Sequence, residues 1–403
     1  MKNKKIKVLS LFSGIGAFEK ALSNINIKYE LVRFCEIDKY ATESYCAIHN
    51  VNKNLNLGDI SNISKDILEN LKIDLIVGGS PCQDFSTSGK QKGSIWTCNN
   101  CNYEYNPLTI HYSSRSNCPI CNSTNLEKTR SSLVVEMLKV IKTTKPKYVI
   151  YENVKNITSK RFQETFSLFL NELDEYGYNI HWEILNAKDF NIPQNRERVF
   201  VIATKKDLSK DIKILKKELI FNLSNFLEKN VDSSYYSNLN NNKYLYKQIN
   251  NYIIKNKEIP FLFNAYNCKK ITNICPTIIT SCSSNAGRNS IVILESISKN
   301  ISQSNNYNSS SLEYNISNYQ TIKTYISNNY ILNIQVENQN EIKTFQYKIR
   351  KLTESECFML MGFSKNDLEI CKKNNVPSSQ LYKQAGNSIV VPILESIFKS
   401  LLS

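Results

Sequence analysis

The sequence predicts an α/β protein, with an open parallel sheet in its first half and a second, smaller, irregular domain after it. Three observations carry that reading. Between Ile6 and Ala203, compact apolar runs alternate with amphipathic stretches at helical spacing, the pattern of βαβ units. Two of the runs end directly in glycine-bearing turns, Phe12-Ser13-Gly14-Ile15-Gly16 and Gly78-Gly79-Ser80-Pro81-Cys82. Such strand-to-loop junctions are where open α/β sheets hold their ligands. From about Lys205 to 345 the alternation stops and Asn, Ser, Tyr and Lys dominate, with Ser302 to Ser311 close to low complexity.

The bulk numbers agree with a soluble two-domain chain. At 403 residues it can bury a full core, and 41% hydrophobic with 22% charged residues is ordinary for a globular protein. The formal net charge of +15 points to an anionic partner, nucleic acid before an acidic membrane. No apolar run approaches the roughly 20 residues of a membrane span. The basic start, Met1-Lys2-Asn3-Lys4-Lys5, leads straight into a strand without a signal-peptide pattern, so a cytoplasmic location is expected. There the 12 cysteines are thiols, metal ligands or a nucleophile rather than disulfides.

In chain order, Ile6 to Leu11 reads as the first strand. Gly14 and Gly16 behind it can make a tight turn that lets backbone N–H groups approach a ligand, ahead of a helix near Phe18. The third glycine of the dinucleotide fingerprint is missing. Glu36, about 20 positions on and at the end of a second strand, stands where a ribose diol is usually gripped. Asn54 to Leu57 reads as a third strand ending in Gly58-Asp59-Ile60, where a carboxylate could accept from an adenine amino group. Together these suggest an adenosine-containing cofactor; an ordinary turn with surface acids is the competing reading.

Ile73 to Val77 reads as a buried strand, and Cys82 at its mouth, between Pro81 and Gln83, is a candidate nucleophile. A half-buried structural thiol is the alternative. The small and polar residues that follow, with Lys90 and Lys92, suit a loop facing an anion. Next come Cys98-Asn99-Asn100-Cys101 and, 16 residues later, Cys118-Pro119-Ile120-Cys121. Four soft thiolates in two such knuckles are a structural Zn²⁺ set with no open coordination position. Arg130 to Leu133 opens a helix, Tyr148 to Tyr151 is a strand ending in Glu152-Asn153-Val154, and an amphipathic helix stops at Gly177. Strand ends of a parallel sheet share a rim, so Glu152 could face Cys82. A strand from Asn179 to Leu185 and another from Val199 to Ala203 flank Arg196 and Arg198, which in extended structure would share a face, suited to a phosphate or base edge; internal salt bridges are the alternative. Arg350 to Phe363 reads as helical, and a last helix runs from Ile389 to Leu402.

This set of motifs resembles the cytosine-5 DNA methyltransferases over nearly the whole chain. Phe12-Ser13-Gly14-Ile15-Gly16, Pro81-Cys82-Gln83, Glu152-Asn153-Val154, Gln194-x-Arg196-x-Arg198 and Gly386-Asn387-Ser388 occur in that family's order. The resemblance implies a Rossmann-like S-adenosylmethionine-dependent methyltransferase sheet, built from residues 1–204 and about 380–403. The zinc-ribbon-like insert at 96–127 interrupts it, and about 205–379 would form the target-recognition domain, with Thr277 to Thr280 like its short Thr-containing motif. Phe12, Gly14 and Gly16 would line the methionine end of the cofactor, Glu36 the ribose, Asp59 and Ile60 the adenine, with Ile37 where some members carry a large aromatic against the adenine ring. Leu133, Asn387, Ser388 and Ile389 would complete the pocket.

The chemistry follows from the substrate. C5 of cytosine is a poor nucleophile until something adds to C6, which a thiolate does well, and Cys82 matches the family's nucleophile. Glu152 matches the acid that serves N3, a role open only to the protonated group, which burial favours. By the same match Arg198 holds O2 and Arg196 lies nearer to loop and backbone, with Gln83 beside the nucleophile. The base must leave the duplex to be reached, and phosphate contacts should make binding salt-dependent. Double-stranded DNA is the expected partner of a monomer, with a cognate restriction endonuclease as a further one. An RNA methyltransferase on the same fold and a silent DNA-binding protein are the rivals; the long second domain argues against the first, intact Cys82, Glu152 and Arg198 against the second. Four departures from the family stand out: Ile37 in place of an aromatic, Ser355 where Arg is frequent, no Pro after Phe363, and the four-cysteine insert.

Overall fold

The computed structural model describes residues 5–81, 84–85, 93–208, 210–281, 291–297 and 314–402. Cys82, Gln83, the 86–92 stretch and Ser302 to Ser311 lie outside them. The chain divides into two compact units, Met1–Asn186 with Glu197–Lys216 and Ile393–Ser403, and Ala187–Arg196 with Lys217–Pro392.

The first unit runs β1 (Ile6–Leu11), α1 (Ala17–Asn24), β2 (Tyr29–Cys35), α2 (Lys39–His49), α3 (Lys65–Asn70) and β3 (Leu75–Gly78). The insert then contributes β4 (Trp96–Cys98), β5 (Glu104–Tyr105) and β6 (Leu126–Lys128). After α4 (Leu133–Thr144), β7 (Tyr148–Val154), α5 (Gln163–Glu175) and β8 (Tyr178–Asn186), the chain visits the second unit with β9 (Gln194–Asn195) and returns as β10 (Glu197–Lys205). The sheet order is β2-β1-β3-β7-β10-β8. β1, β2, β3 and β7 are parallel, and β10 runs antiparallel to both β7 and β8.

Burial explains why these runs are strands. Leu75, Ile76 and Val77 are wholly buried, as are Val199 and Phe200, because helices cover both faces of a parallel sheet. Met137, Leu138 and Ile141 of α4 and Phe166, Phe169 and Leu173 of α5 enter one core with the sheet. Each such side chain stabilises the unit by about 1.5–3 kcal/mol. The topology fixes the rim. β1, β2, β3 and β7 all end there, and β10, running the other way, begins there with Arg198 opposite Val154.

One expected strand is absent. Asn54 to Leu57 is a 3₁₀ turn over Lys53–Leu55, because the Asn52 side chain accepts from Asn54 N–H and caps it. A single bridge, Phe34 to Asn56, is all that pairs.

The second unit contains α6 (Lys243–Asn256), β11 (Glu258–Ile259), β12 (Leu262–Asn264), β13 (Lys269–Ile271), β14 (Cys275–Pro276), β15 (Ile291–Ser296), β16 (Tyr314–Asn315), β17 (Thr321–Ser327), β18 (Ile331–Glu337) and β19 (Ile342–Lys351). Six of these form an antiparallel sheet, β13-β12-β15-β19-β18-β17, a regularity that the composition does not announce. Leu245, Ile249 and Ile253 of α6 share its core with Phe263, Val292, Leu332 and Ile334. Short helices α7 (Glu354–Met359), α8 (Lys365–Lys373) and α9 (Ser378–Asn387) follow, then α10 (Val391–Leu402). The helix expected over Arg350 to Phe363 is instead the end of β19 and then α7. Thr353 caps α7 and Glu356 reaches back to the Thr353 N–H. Only Cys275–Pro276 of the run around Thr277 to Thr280 is strand, pairing with β9. Among the described residues no single helix is long and apolar enough to cross a membrane.

Candidate active site

The turn after β1 is bent by residues in the left-handed region, Phe12 at φ 53°, Gly14 at 54° and Gly16 at 81°. For Phe12 this is a strained conformation, of the kind held at ligand clamps. Gly16 has no substitute, since a Cβ there would lie 2.1 Å from His49 Nε2. A Cβ at Gly14 would enter open space. Gly14 N–H donates to Glu36 Oε2 at 2.8 Å, and Asp38 N–H donates to Oε1 at 2.8 Å. Next to this carboxylate Ile37 is 76% exposed, an apolar side chain open to a ligand at this turn. Asp59 caps the turn beyond, accepting from Ser61 N–H, and Ile60 is buried beneath it. Leu133 opens α4 and is half buried. A carboxylate for a diol, a second acid, an apolar platform and a strained glycine turn form a donor set that fits an adenosine-containing cofactor.

Asn56 is a residue the sequence reading missed. Its side chain accepts from Glu36 N–H at 3.1 Å and Gly58 N–H at 2.9 Å, and donates to Glu36 C=O at 2.9 Å. It ties the Glu36 turn to the Asp59 turn. The signal was its place in Asn-Leu-Asn-Leu-Gly, which is a turn composition as much as a strand one.

Along the rim, the β3 end and the β7 end meet. A Cβ at Gly79 would lie 2.8 Å from Glu152 Oε2, so only glycine lets that backbone pass the carboxylate. Glu152 Oε1 lies 3.1 Å from Arg198 Nε, and Arg198 Nη1 donates to Glu197 C=O at 2.8 Å. Both side chains keep some exposure, 12% and 16%. Asn153 braces the β3 end, donating to Ser80 C=O at 3.2 Å and to Tyr151 Oη at 2.7 Å. Glu152 and Arg198 are thus brought together.

Cys82 and Gln83 themselves are not described, but their flanks are. Ser131 Oγ donates to Pro81 C=O at 3.0 Å and accepts from Asp84 N–H at 3.1 Å, while Ser131 N–H donates to Asp84 Oδ2 at 3.2 Å. Gly93 N–H donates to Asp84 C=O at 3.1 Å, joining the two ends of the 86–92 stretch. Phe85 is buried, edge-on to Phe162 with ring centroids 5.1 Å apart. Nothing in the sequence marked Ser131.

Arg196 and Arg198 do not share a face. Arg196 is buried in the second unit, donating to Ile278 C=O at 2.8 Å, Gly386 C=O at 3.0 Å and Ser388 C=O at 2.7 Å. A side chain holding the carbonyls of Ile278, Gly386 and Ser388 ties two segments of the second unit together, and the extended-strand periodicity fails because β9 ends before it. Asn387, Ser388 and Ile389 lie at and beyond the end of α9 in the same unit. Gly386 there admits no Cβ, which would meet Thr280 N at 2.3 Å.

The insert's four cysteines converge. Their Sγ atoms all lie within 4.8 Å of one another, with Cys98 to Cys121 at 3.4 Å and Cys101 to Cys118 at 3.6 Å. A tetrahedral Zn–S₄ centre with bonds of ~2.3 Å needs sulfurs about 3.8 Å apart. The two knuckles repeat one backbone solution. Asn102 N–H returns to Cys98 C=O and Asn122 N–H to Cys118 C=O, both asparagines at φ near 58° and 57°. The thiols titrate as one set: burial raises Cys98, hydrogen bonds from Cys101 and Asn100 N–H and from the Cys121 thiol bring it down, and the neighbouring thiols hold Cys101 and Cys121 up. These residues fit a soft divalent cation.

The model of the C-5 cytosine-specific DNA methylase family matches residues 6–105 and 120–403, leaving out residues 1–5 and the middle of the insert. Orphan methyltransferase M.SPBetaI of Bacillus phage SPbeta is 35% identical, over 99% of this chain and 98% of the relative. Type II methyltransferase M2.ScrFI of Lactococcus lactis subsp. cremoris is 28% identical, over 98% and 99%. Among solved structures, the S. pombe Dnmt2 methyltransferase matches with a TM-score of 0.59 at 20% identity, over 99% and 98% of the two chains. That last likeness is one of fold.

Proposed function

The chain belongs to the C-5 cytosine-specific DNA methylase family, and from that premise we propose how its residues divide the work of methylating cytosine in DNA. Cys82 is the nucleophile. Its thiolate adds to C6 of a cytosine turned out of the duplex, and the electron pair moves toward N3, where Glu152 delivers a proton. C5 is then an enamine carbon and takes the methyl group. Loss of the C5 proton to a base, departure of Cys82 and return of the N3 proton to the Glu152 carboxylate restore the ring. S-adenosylmethionine, when bound, supplies the electrophilic methyl group; Phe12, Gly14, Gly16, Glu36, Ile37, Asp59, Ile60 and Leu133 would hold it. Arg198 holds the base at O2, replacing part of its pairing with Glu152, and Gln83 flanks the nucleophile. Arg196 organises the loop. Cys98, Cys101, Cys118 and Cys121 hold a structural Zn²⁺.

The observation that supports this most is the Glu152–Arg198 pair beside Gly79, three positions before Cys82. The test is bisulfite sequencing of total DNA from a bacterial host expressing the protein, beside a Cys82→Ser control. Methylated cytosines in one fixed short context, absent from the control, are expected; no methylation above the control from folded protein would overturn the assignment. Relatives carry both orphan and type II names. A restriction endonuclease that spares the methylated context would be the cognate partner.

A further inference from the structure

The insert is set into the first unit at a telling place. Its two ends leave and re-enter the chain at Gly93–Ile95 and Lys128–Ser131, the segments that touch the flanks of Cys82. The ends are paired with one another. Ile95 N–H donates to Thr129 Oγ1 at 3.2 Å, Thr129 Oγ1 donates to Gly93 C=O at 3.0 Å, and Thr129 N–H donates to Ile95 C=O at 3.2 Å. Two residues on, Ser131 holds both Pro81 and Asp84.

The body of the insert is equally firm on its other side. Trp96, Tyr105 and Leu108 belong to the same core as α4 and α5. Arg115 lies buried against α5, its two terminal nitrogens donating to Glu172 at 2.9 and 2.6 Å and its Nε to Pro107 C=O at 2.8 Å. A buried fork of this kind holds direction as well as distance. What the insert lacks is internal substance: three strands of three, two and three residues cannot bury a core of their own. The four thiolates sit where β4 leaves the sheet and just before the chain re-enters it as β6. A metal there would supply the missing rigidity, since small metal-held modules fold only as the metal binds.

We propose that the four-thiolate metal site is a positioning device for the catalytic turn: Zn²⁺ fixes the insert, and the insert delivers Thr129 and Ser131 to the described flanks of Cys82. The inference rests on the reading of Cys82 as nucleophile. Ser131 is a positioning residue, because it touches the turn and not the substrate. Misplacing a reacting group by an ångström costs on the order of 10²-fold in rate, so the device acts on turnover and leaves the cofactor turn at Phe12–Gly16 alone.

The test uses the purified full chain and three readouts: zinc content by elemental analysis, S-adenosylmethionine affinity by calorimetry, and single-turnover methylation of duplex DNA. Expected are one zinc per chain and, after removal by a chelator, a rate lowered on the order of 10- to 100-fold with cofactor affinity unchanged, both restored by added Zn²⁺. Cys121→Ser should behave like the stripped enzyme and Cys121→His, which keeps a zinc ligand, like the parent. Ser131→Ala should lose rate while retaining zinc, which separates positioning from folding of the insert. A protein without zinc, a stripped enzyme of undiminished rate, or rate and cofactor affinity falling together would each overturn the proposal. Loss of all methylation by the zinc-loaded parent would instead count against the catalytic reading.

Discussion

Each unit has an arginine–glutamate pair at an important place, and the two are built differently. Arg350 in the second unit is 1% exposed and its partner Glu356 is fully buried. Its donors go to five acceptors: Glu295 at 2.5 Å, both Glu356 oxygens at 2.9 and 3.0 Å, and the carbonyls of Lys351 and Glu228 at 3.1 and 3.2 Å. Burial pushes Glu356 up against the pull of that guanidinium. Arg198 on the rim of the first unit meets Glu152 through Nε at 3.1 Å and one carbonyl, and both keep a solvent-facing edge. A saturated buried pair holds strands together. A rim pair with a glycine pressed against it keeps an edge open to solvent. The difference lies in the number of partners and in access, and no charge count shows it.

Mutations can break that division. Glu152→Gln should lower kcat on the order of 10²- to 10⁴-fold, the range of a lost acid, with little change in melting temperature, as methyl-transfer assays and thermal melts would show. Undiminished methylation would refute the role given to Glu152. Arg350→Ala should cost about 3–5 kcal/mol of stability, because it strands a buried carboxylate; urea unfolding followed by a probe in the second unit reads this. If Arg350→Ala left stability intact, the contrast between the pairs would collapse. Arg198→Ala should reduce kcat/KM by about 1.5–3 kcal/mol of lost charged hydrogen bonding, with Arg198→Lys intermediate. Smallest, Asn56→Ala should weaken S-adenosylmethionine binding by about 1–2 kcal/mol without changing kcat at saturating cofactor, because it braces the Glu36 turn from behind.

Where the sequence was legible follows from the same physics. The first unit could be read because strands buried on both faces appear as unbroken apolar runs, such as Leu75-Ile76-Val77 and Val199 to Ala203, with α4 and α5 at helical spacing between them. In the second unit's sheet the edge strand β17 was hidden because it is half exposed. Thr321-Ile322-Lys323-Thr324-Tyr325-Ile326-Ser327 alternates exposed and half-buried positions, with Thr324 inward and Tyr325 outward, so it has no clean apolar period and resembles the Asn- and Lys-rich loops around it. Asn54 to Leu57 went wrong because an asparagine cap outweighed a two-residue alternation. The break inside Arg350 to Phe363 was written in the chain as Thr353-Glu354-Ser355-Glu356, a capping box that starts a helix there. At the site, Glu36, Glu152 and Arg198 could be named from motif order, whereas Asn56 and Ser131 act across long sequence gaps and carry no local signature.

The most direct measurement is adduct trapping. Duplex DNA carrying 5-fluorocytosine in the methylated context, incubated with the protein and S-adenosylmethionine, should stall after methyl transfer, because no proton can leave C5. The expected result is one covalent complex per chain, with the DNA attached at Cys82 by peptide mass mapping and no complex from Cys82→Ser. Attachment at another of the 12 cysteines, or methylation of normal DNA with no trapped complex, would contradict the assignment of the nucleophile.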